Sequence, residues 1–377
     1  MTLAGSDPQQ KFKSRKEFME WLGEMMVAPV EERTEEFEGE VRGRPRELKT
    51  YVMESNDGLE KIAAANTVKT SLQPTDLPEV SILRLEYENR SATFYLDTTD
   101  TRFLLLYTND LAKITDHLYD RLVNSTSNRF DRVWLPTEVL GVISHLSGNL
   151  FRGFGLKFDD LFALGRPEDQ PIHELKMSVA GLSSADALDA LKTKEGLRRT
   201  LSYSKVTVRR ANREGFVTDE VGYKGRLITK SGDSIDDHVS LVEIVRKAYR
   251  GLIEEIERSS IGTKTVEERT LIEGEAFDLV LDRKIEELDA FVDCLLDSTA
   301  PFRLWGLKNK VFKNMRQVVA VDLHTGDSLD LEVTPSSVRV YLPKGGCGNT
   351  ILRMYVNLQH SFDSAIRLNE EKLQMRL

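Results

Sequence analysis

Lys205, Thr207 and Arg209 alternate with Val206 and Val208, so a strand here turns its polar side chains to one face and its branched apolar ones to the other. Cations repeating along a strand face can follow a phosphate backbone, because each neutralised phosphate releases a counterion. They belong to a longer basic run. Between Lys192 and Lys230 eleven basic residues, Arg198, Arg199, Arg210, Arg213, Lys224 and Arg226 among them, stand against four acids. A second run, Arg303, Lys308, Lys310, Lys313 and Arg316, contains no acid. Tyr203, Phe302, Trp305 and Phe312 lie nearby and supply rings on which bases can stack. The candidate nucleic-acid-binding set is therefore Arg198, Arg199, Lys205, Arg209, Arg210, Arg226, Lys308, Lys310, Lys313 and Arg316. The alternative is a solvated basic face answered by the acidic segment from Asp233 to Asp297.

A second chemistry is spelled by Glu275, Asp278 and the run Asp282-Arg283-Lys284. It resembles the D…(D/E)xK arrangement of restriction-endonuclease-like folds. That resemblance implies carboxylates holding Mg²⁺ and a lysine orienting the attacking water. The departure is that Asp278 and Asp282 fall on one strand, whereas that family draws its acids from two adjacent strands. Asp282 also reads as the cap of a helix beginning near Ile285.

Lys344-Gly345-Gly346-Cys347-Gly348-Asn349-Thr350 resembles the deviant phosphate loop of the ParA/MinD-like ATPases at Lys344, Gly345, Gly346, Gly348 and Thr350. Bare backbone N–H groups converging on phosphate are what such a loop offers. Asn349 stands where the second lysine of that motif reaches the β- and γ-phosphates, and 27 residues follow Thr350. The expectation is a glycine turn leading into a strand over Ile351–Val356, not an ATPase. His324 and His360 share this closing region with Cys347, but no spacing requires a Cys-His pair to form.

The elements that would position these groups follow from periodicity. Ser14 and Glu17 form a capping box for a helix with Phe18, Trp21, Leu22, Met25 and Met26 on one face, and Pro29 is expected to end it. Val30 to Arg46 reads as an extended arm, carrying six glutamates between Glu31 and Glu40 that could compete with a polyanion for the basic runs. Gly58 to Leu72 reads as a helix. Strands over 80–87, 92–96 and 102–107, then helices and a returning strand over 151–158, suggest a sheet covered by helices on one side. The strongest helix opens at Ser234 and Asp237 and runs through Ile256; another carries Ile285, Leu288, Phe291, Val292 and Leu295. Val319–Leu323, Leu329–Val333 and Val338–Leu342 make a three-stranded meander.

The expected class is α+β: two mixed α/β units with antiparallel-rich sheets, an N-terminal helix and arm, and a closing β-meander module. The expected boundaries are 1–75, 76–165, 166–300 and 301–377. Hydrophobic content of 40% and charged content of 30% belong to a folded globular chain, and a net charge of −9 excludes one that is basic throughout. Two cysteines, Cys294 and Cys347, support neither a disulfide framework nor a thiolate zinc site. With no signal peptide and no long apolar run, a cytoplasmic location without membrane attachment is expected. The reading is a non-catalytic binding or assembly subunit that engages a protein partner, and nucleic acid through segments 192–230 and 303–316, with no cofactor. A metal-dependent nuclease around Asp278, Asp282 and Lys284 is the alternative.

Overall fold

A computed structural model describes residues 12–36, 47–56, 58, 62, 67–124, 130–163, 172–213, 215–266 and 269–368. Among these, nineteen strands and eight helical segments make a mixed α+β fold, as the sequence implies. No helix among the described residues is long and apolar enough to cross a membrane. The chain divides into two compact units, neither continuous in sequence: residues 1–132, 210–219 and 226–242, and residues 133–209, 220–225 and 243–377.

In the first unit, antiparallel strands follow the order Lys69–Pro74, Val80–Tyr87, Arg90–Asp97, Phe103–Thr108, Lys49–Ser55 and Arg226–Gly232. The helix Ala112–Val123 buries Thr115, Leu118, Tyr119, Leu122 and Val123 at helical spacing. These side chains pack with Tyr51, Met53, Phe94, Leu96, Leu104 and Leu106 on one sheet face. The other face is covered too. Phe18 and Trp21, on the helix Arg15–Glu36, meet Tyr95 at centroid distances of 6.4 and 4.2 Å, and Phe18 meets Tyr107 at 5.9 Å. Two-sided burial corrects the expectation of a one-sided sheet, and it explains why Lys49–Ser55 and Phe103–Thr108 are buried at every position rather than every second one.

The first helix has the serine half of the expected box, Glu17 N donating to Ser14 Oγ at 3.2 Å, while the Glu17 carboxylate reaches back one residue further, to the Lys13 N–H at 2.7 Å. It does not stop at Pro29: the backbone stays helical to Glu36, since a proline deletes one N–H without forbidding helical φ. Residues 37–46, the rest of the expected arm, lie outside the described residues, as do residues 59–61 and 63–66 of the helix expected over 58–72. The end of that segment is a strand from Lys69.

In the second unit, Leu150–Asp159 pairs with Glu174–Ala180 on one side and Tyr203–Ala211 on the other. A six-stranded antiparallel sheet runs in the order Leu304–Phe312, Met315–Asp322, Ser328–Thr334, Ser337–Tyr341, Phe277–Val280 and Arg367–Leu368. Its middle strands are the expected meander; its first is an edge strand that the sequence pattern does not announce. The helix Leu288–Leu295 lays Leu288, Phe291, Val292 and Leu295 inward. A second helix, Asn349–Ser361, is buried at every one of its 13 residues. It replaces the strand expected over Ile351–Val356: Asn349, Arg353, Asn357 and His360 do recur at helical spacing, but the apolar run Ile351–Val356 taken alone is too short to separate helix from strand.

Candidate anion-binding cavity

The second unit holds a cavity of about 1250 Å³ lined from four separated stretches of chain: Phe158 and Phe162, Glu195–Thr200, Asp282–Phe291, and Phe362. Sequence places them far apart, and one tight turn after the buried helix draws them together. The fully buried Asp363 accepts the backbone N–H groups of Asp282 and Arg283, each at 2.7 Å. Next to it, the Ser364 hydroxyl donates to the Arg198 carbonyl at 2.9 Å and its N–H to the Arg199 carbonyl at 3.0 Å. Adjacent residues of one turn therefore set both walls of the cavity mouth.

Across that mouth Asp282 accepts from Arg199 Nε at 2.9 Å and from Arg198 at 3.4 Å. The hydrogen bond from Arg199 holds the Asp282 carboxyl below the usual carboxylate range. Lys284, also on the lining, is exposed. Arg283 is committed inward: it pairs with the fully buried Asp160 at 2.7 Å and lies 4.5 Å over the Phe362 ring. Beneath it, Phe162 stacks on Phe291 at 4.6 Å, and Phe362 meets both edge-on at 5.2 and 5.0 Å. An aromatic floor beneath a rim of exposed ion pairs has room for a ligand with a flat or apolar body and charged ends. Glu195, Glu286 and Glu287 share the lining, so the rim carries both signs of charge.

The remaining cations are distributed otherwise. Lys205 and Arg209 share a strand face as expected, opposite the buried Val206 and Val208, and Lys205 is paired with Glu220 at 2.7 Å. Gly155, its neighbour across the strands, has to lack a side chain, because a Cβ there would meet the Lys205 stem at 2.7 Å. Arg210 and Arg226 belong to the first unit, where Arg210 donates to Ser240 Oγ at 3.1 Å and Arg226 pairs with Asp116. Lys308 and Arg316 reach the acids of one helix, Lys308 to Asp293 at 2.9 Å and Arg316 to Asp289 at 2.8 Å. Lys310 and Lys313 are exposed. Of the expected stacking rings, Tyr203 and Phe302 are buried, and Trp305 and Phe312 stand on the edge strand with half their surface open.

Asp282 and Lys284 both line the cavity, but Asp278 does not: its carboxylate is held by Arg339 Nε at 2.6 Å on the outer face of the sheet. The glycine loop does precede a helix, yet its anion position is filled. Cys347 N–H donates to Asp327 at 2.9 Å and Gly348 N–H to Glu257 at 3.2 Å, so carboxylates of the protein sit where a phosphate would. Thr350 donates to Asp322 at 2.5 Å beside the buried Arg353, and Asn349 to the Tyr249 hydroxyl at 2.5 Å. Burial pushes Asp322 up, but the Arg353 charge and the Thr350 hydroxyl outweigh it and keep the carboxyl below its ordinary range. His360 and Cys347 are not a nucleophile pair; His360 Nδ1 bonds the Lys157 carbonyl at 2.7 Å, and burial lowers its pKa to about 4.

The sequence flagged Arg198 and Arg199 by charge and Asp282 and Lys284 by motif, without a reason to join them. It missed Phe162 and Phe362, which carry no local signal, and Asp363, whose role exists only through tertiary contacts. Comparison with known proteins gives a family match over nearly the whole chain: the family model described as MJECL33-like protein covers residues 6–377. A protein of Methanocaldococcus jannaschii, described as uncharacterized protein MJECL33, is 29% identical over 371 residues, covering 88% of this chain and 88% of its own length.

Proposed function

This chain belongs to the MJECL33-like protein family, and we propose that it is a non-catalytic binding protein for single-stranded nucleic acid. Arg198, Arg199 and Lys284 take phosphates at the cavity mouth, and a base enters toward Phe162, Phe291 and Phe362. The observation that carries this reading is the pairing of Arg198 and Arg199 with one shared carboxylate, Asp282, at the opening of an aromatic-lined cavity. Both pairs are more than half exposed on the arginine side, so solvent screens them and they exchange partners at little cost. A phosphate offers the same bidentate geometry as the carboxylate that it displaces. The volume exceeds the ~300–1,000 Å³ usual for a small-molecule site and suits a short run of nucleotides.

The test is fluorescence anisotropy of a labelled single-stranded RNA or DNA decamer with the full chain, repeated across a salt series. Saturable binding that weakens with salt and is lost in Arg198→Ala/Arg199→Ala supports the reading; binding that ignores both substitutions rejects it. A metal-dependent nuclease is the second reading, favoured by Asp282 and Lys284 sharing the cavity. Against it, Asp278 is engaged by Arg339. Mg²⁺-dependent cleavage of the same decamer, abolished by Asp282→Ala, would decide for the enzyme.

A further inference from the structure

The strand Leu304–Phe312 ends the six-stranded sheet, pairing with Met315–Asp322 and with no strand on its other side among the described residues. Every second peptide of such a strand aims its N–H and C=O away from the sheet, a ready template for another strand. Its side chains divide by face. Leu304, Val318 and Ala320 are buried, whereas Trp305 faces Val321 and Leu307 faces Val319 on the open side, with Trp305 52%, Leu307 66% and Val319 47% exposed. An apolar stripe thus runs beside the open edge. This departs from the usual pattern, in which the solvent face of a one-sided sheet is polar.

The cations of the hairpin are divided as well. Lys308 and Arg316 are drawn to Asp289 and Asp293 on the helix Leu288–Leu295, which ties the hairpin to its own domain. Beyond the irregularity between Lys308 and Lys310, Lys310 and Lys313 are exposed and have no ion-pair partner among the described residues. Segment 303–316 contains no acid. Two copies pairing edge to edge would therefore gather cations along the seam with no acid from either segment to answer them. Lysines and bulges are the devices by which an edge refuses its own kind. The strand they admit is one that brings carboxylates.

We infer that Leu304–Phe312 is a docking edge for an extended acidic segment of a partner protein. The segment adds as a further strand: its backbone completes the ladder, alternate apolar side chains cover Trp305 and Leu307, and its carboxylates meet Lys310 and Lys313. This surface is separate from the residues proposed to bind nucleic acid, so either assignment can fail without the other.

The probe is a fluorescein-labelled nine-residue peptide alternating valine with glutamate, matched to the nine residues of the strand, titrated against the full chain. Saturable binding is expected, about tenfold weaker to Lys310→Glu/Lys313→Glu and to Leu307→Glu, each first checked for an unchanged circular dichroism spectrum. N-methylation of alternate peptide amides should abolish it, because that removes the ladder without altering charge. Equal binding of the N-methylated peptide, or of a valine–lysine counterpart, overturns the inference. So does absence of binding at millimolar peptide. Self-association in sedimentation that Leu307→Glu abolishes would make a second copy the occupant. Displacement of the peptide by a single-stranded oligonucleotide, lost in Lys310→Glu/Lys313→Glu, would assign the edge to phosphate.

Discussion

Arg199 Nε lies 2.9 Å from the Asp282 carboxylate, joining two residues 83 positions apart across the mouth of the cavity. The contact is a latch made of the groups that a phosphate would use. Asp282→Ala removes the competing carboxylate while leaving both guanidinium groups, so oligonucleotide affinity should rise by about 5-fold, the scale of one or two exposed ion pairs. Anisotropy at low salt reads the change directly. A drop in affinity, or the appearance of Asp282-dependent cleavage in the parent chain, would move the assignment from binding to catalysis.

The salt dependence carries the count of phosphates. Arg198→Ala/Arg199→Ala should lower affinity and flatten the slope of log K against log salt by about 1.4, since each phosphate contact on a single strand contributes ~0.7. The substitutions lie at exposed positions, so the thermal midpoint should be nearly unchanged. An unchanged slope with weakened binding would mean that the arginines shape the site rather than touch phosphate.

The loop Lys344–Thr350 should ignore nucleotides. Cys347 and Gly348 already give their N–H groups to Asp327 and Glu257. Mg²⁺-ATP in excess is expected to leave the Tm where it was. Restoring the missing lysine makes matters worse: Asn349 is fully buried against Tyr249, and Asn349→Lys should destabilise by several kcal/mol through an unpaired buried charge. A Tm rise with Mg²⁺-ATP, in parent or variant, would contradict this.

His360 gives the fold an acid-side liability. Its pKa in the folded chain is lowered to about 4 by burial, whereas an unfolded histidine titrates near 6.5. The unfolded chain therefore binds the extra proton first. Stability is whole above pH ~6.5 and falls as the pH drops toward 4, by on the order of 3 kcal/mol if no other group compensates. Urea midpoints between pH 4 and 7 should show this decline, and His360→Gln, which keeps a donor for the Lys157 carbonyl, should flatten it. A pH profile identical in parent and variant would exclude the histidine as its source.

How much could be read beforehand depended on whether a pattern had one exposed face. The strands Met315–Asp322, Ser328–Thr334 and Ser337–Tyr341 alternate because one side is packed and the other solvated. Asn349–Ser361 has no exposed side, and its apolar run reads equally as strand. The edge strand Leu304–Phe312 was obscured by its own chemistry: Gly306 and the bulge near Lys310 break the alternation, and two lysines draw attention to charge rather than to shape. Gly306 itself is demanded by packing, since a Cβ there would come within 2.4 Å of the Val319 carbonyl. The cavity was legible only as separate residues. Nothing in the spacing of Arg199, Asp282 and Phe362 says that the turn at Asp363 and Ser364 will gather them.

The interleaved composition of the two units has a practical corollary for dissecting the protein. A fragment ending at Arg132 would lack Arg226–Gly232, the neighbour of Lys49, Thr50 and Tyr51 in the sheet. It would also lack His238, whose ring meets the buried Thr50 hydroxyl at 2.8 Å and Asp219 at 3.0 Å. Serial truncation from either end should thus yield aggregated material instead of separable modules. Splicing residues 1–132 to 210–242 through short linkers, by contrast, keeps those partners in one polypeptide and is the rational way to isolate that half.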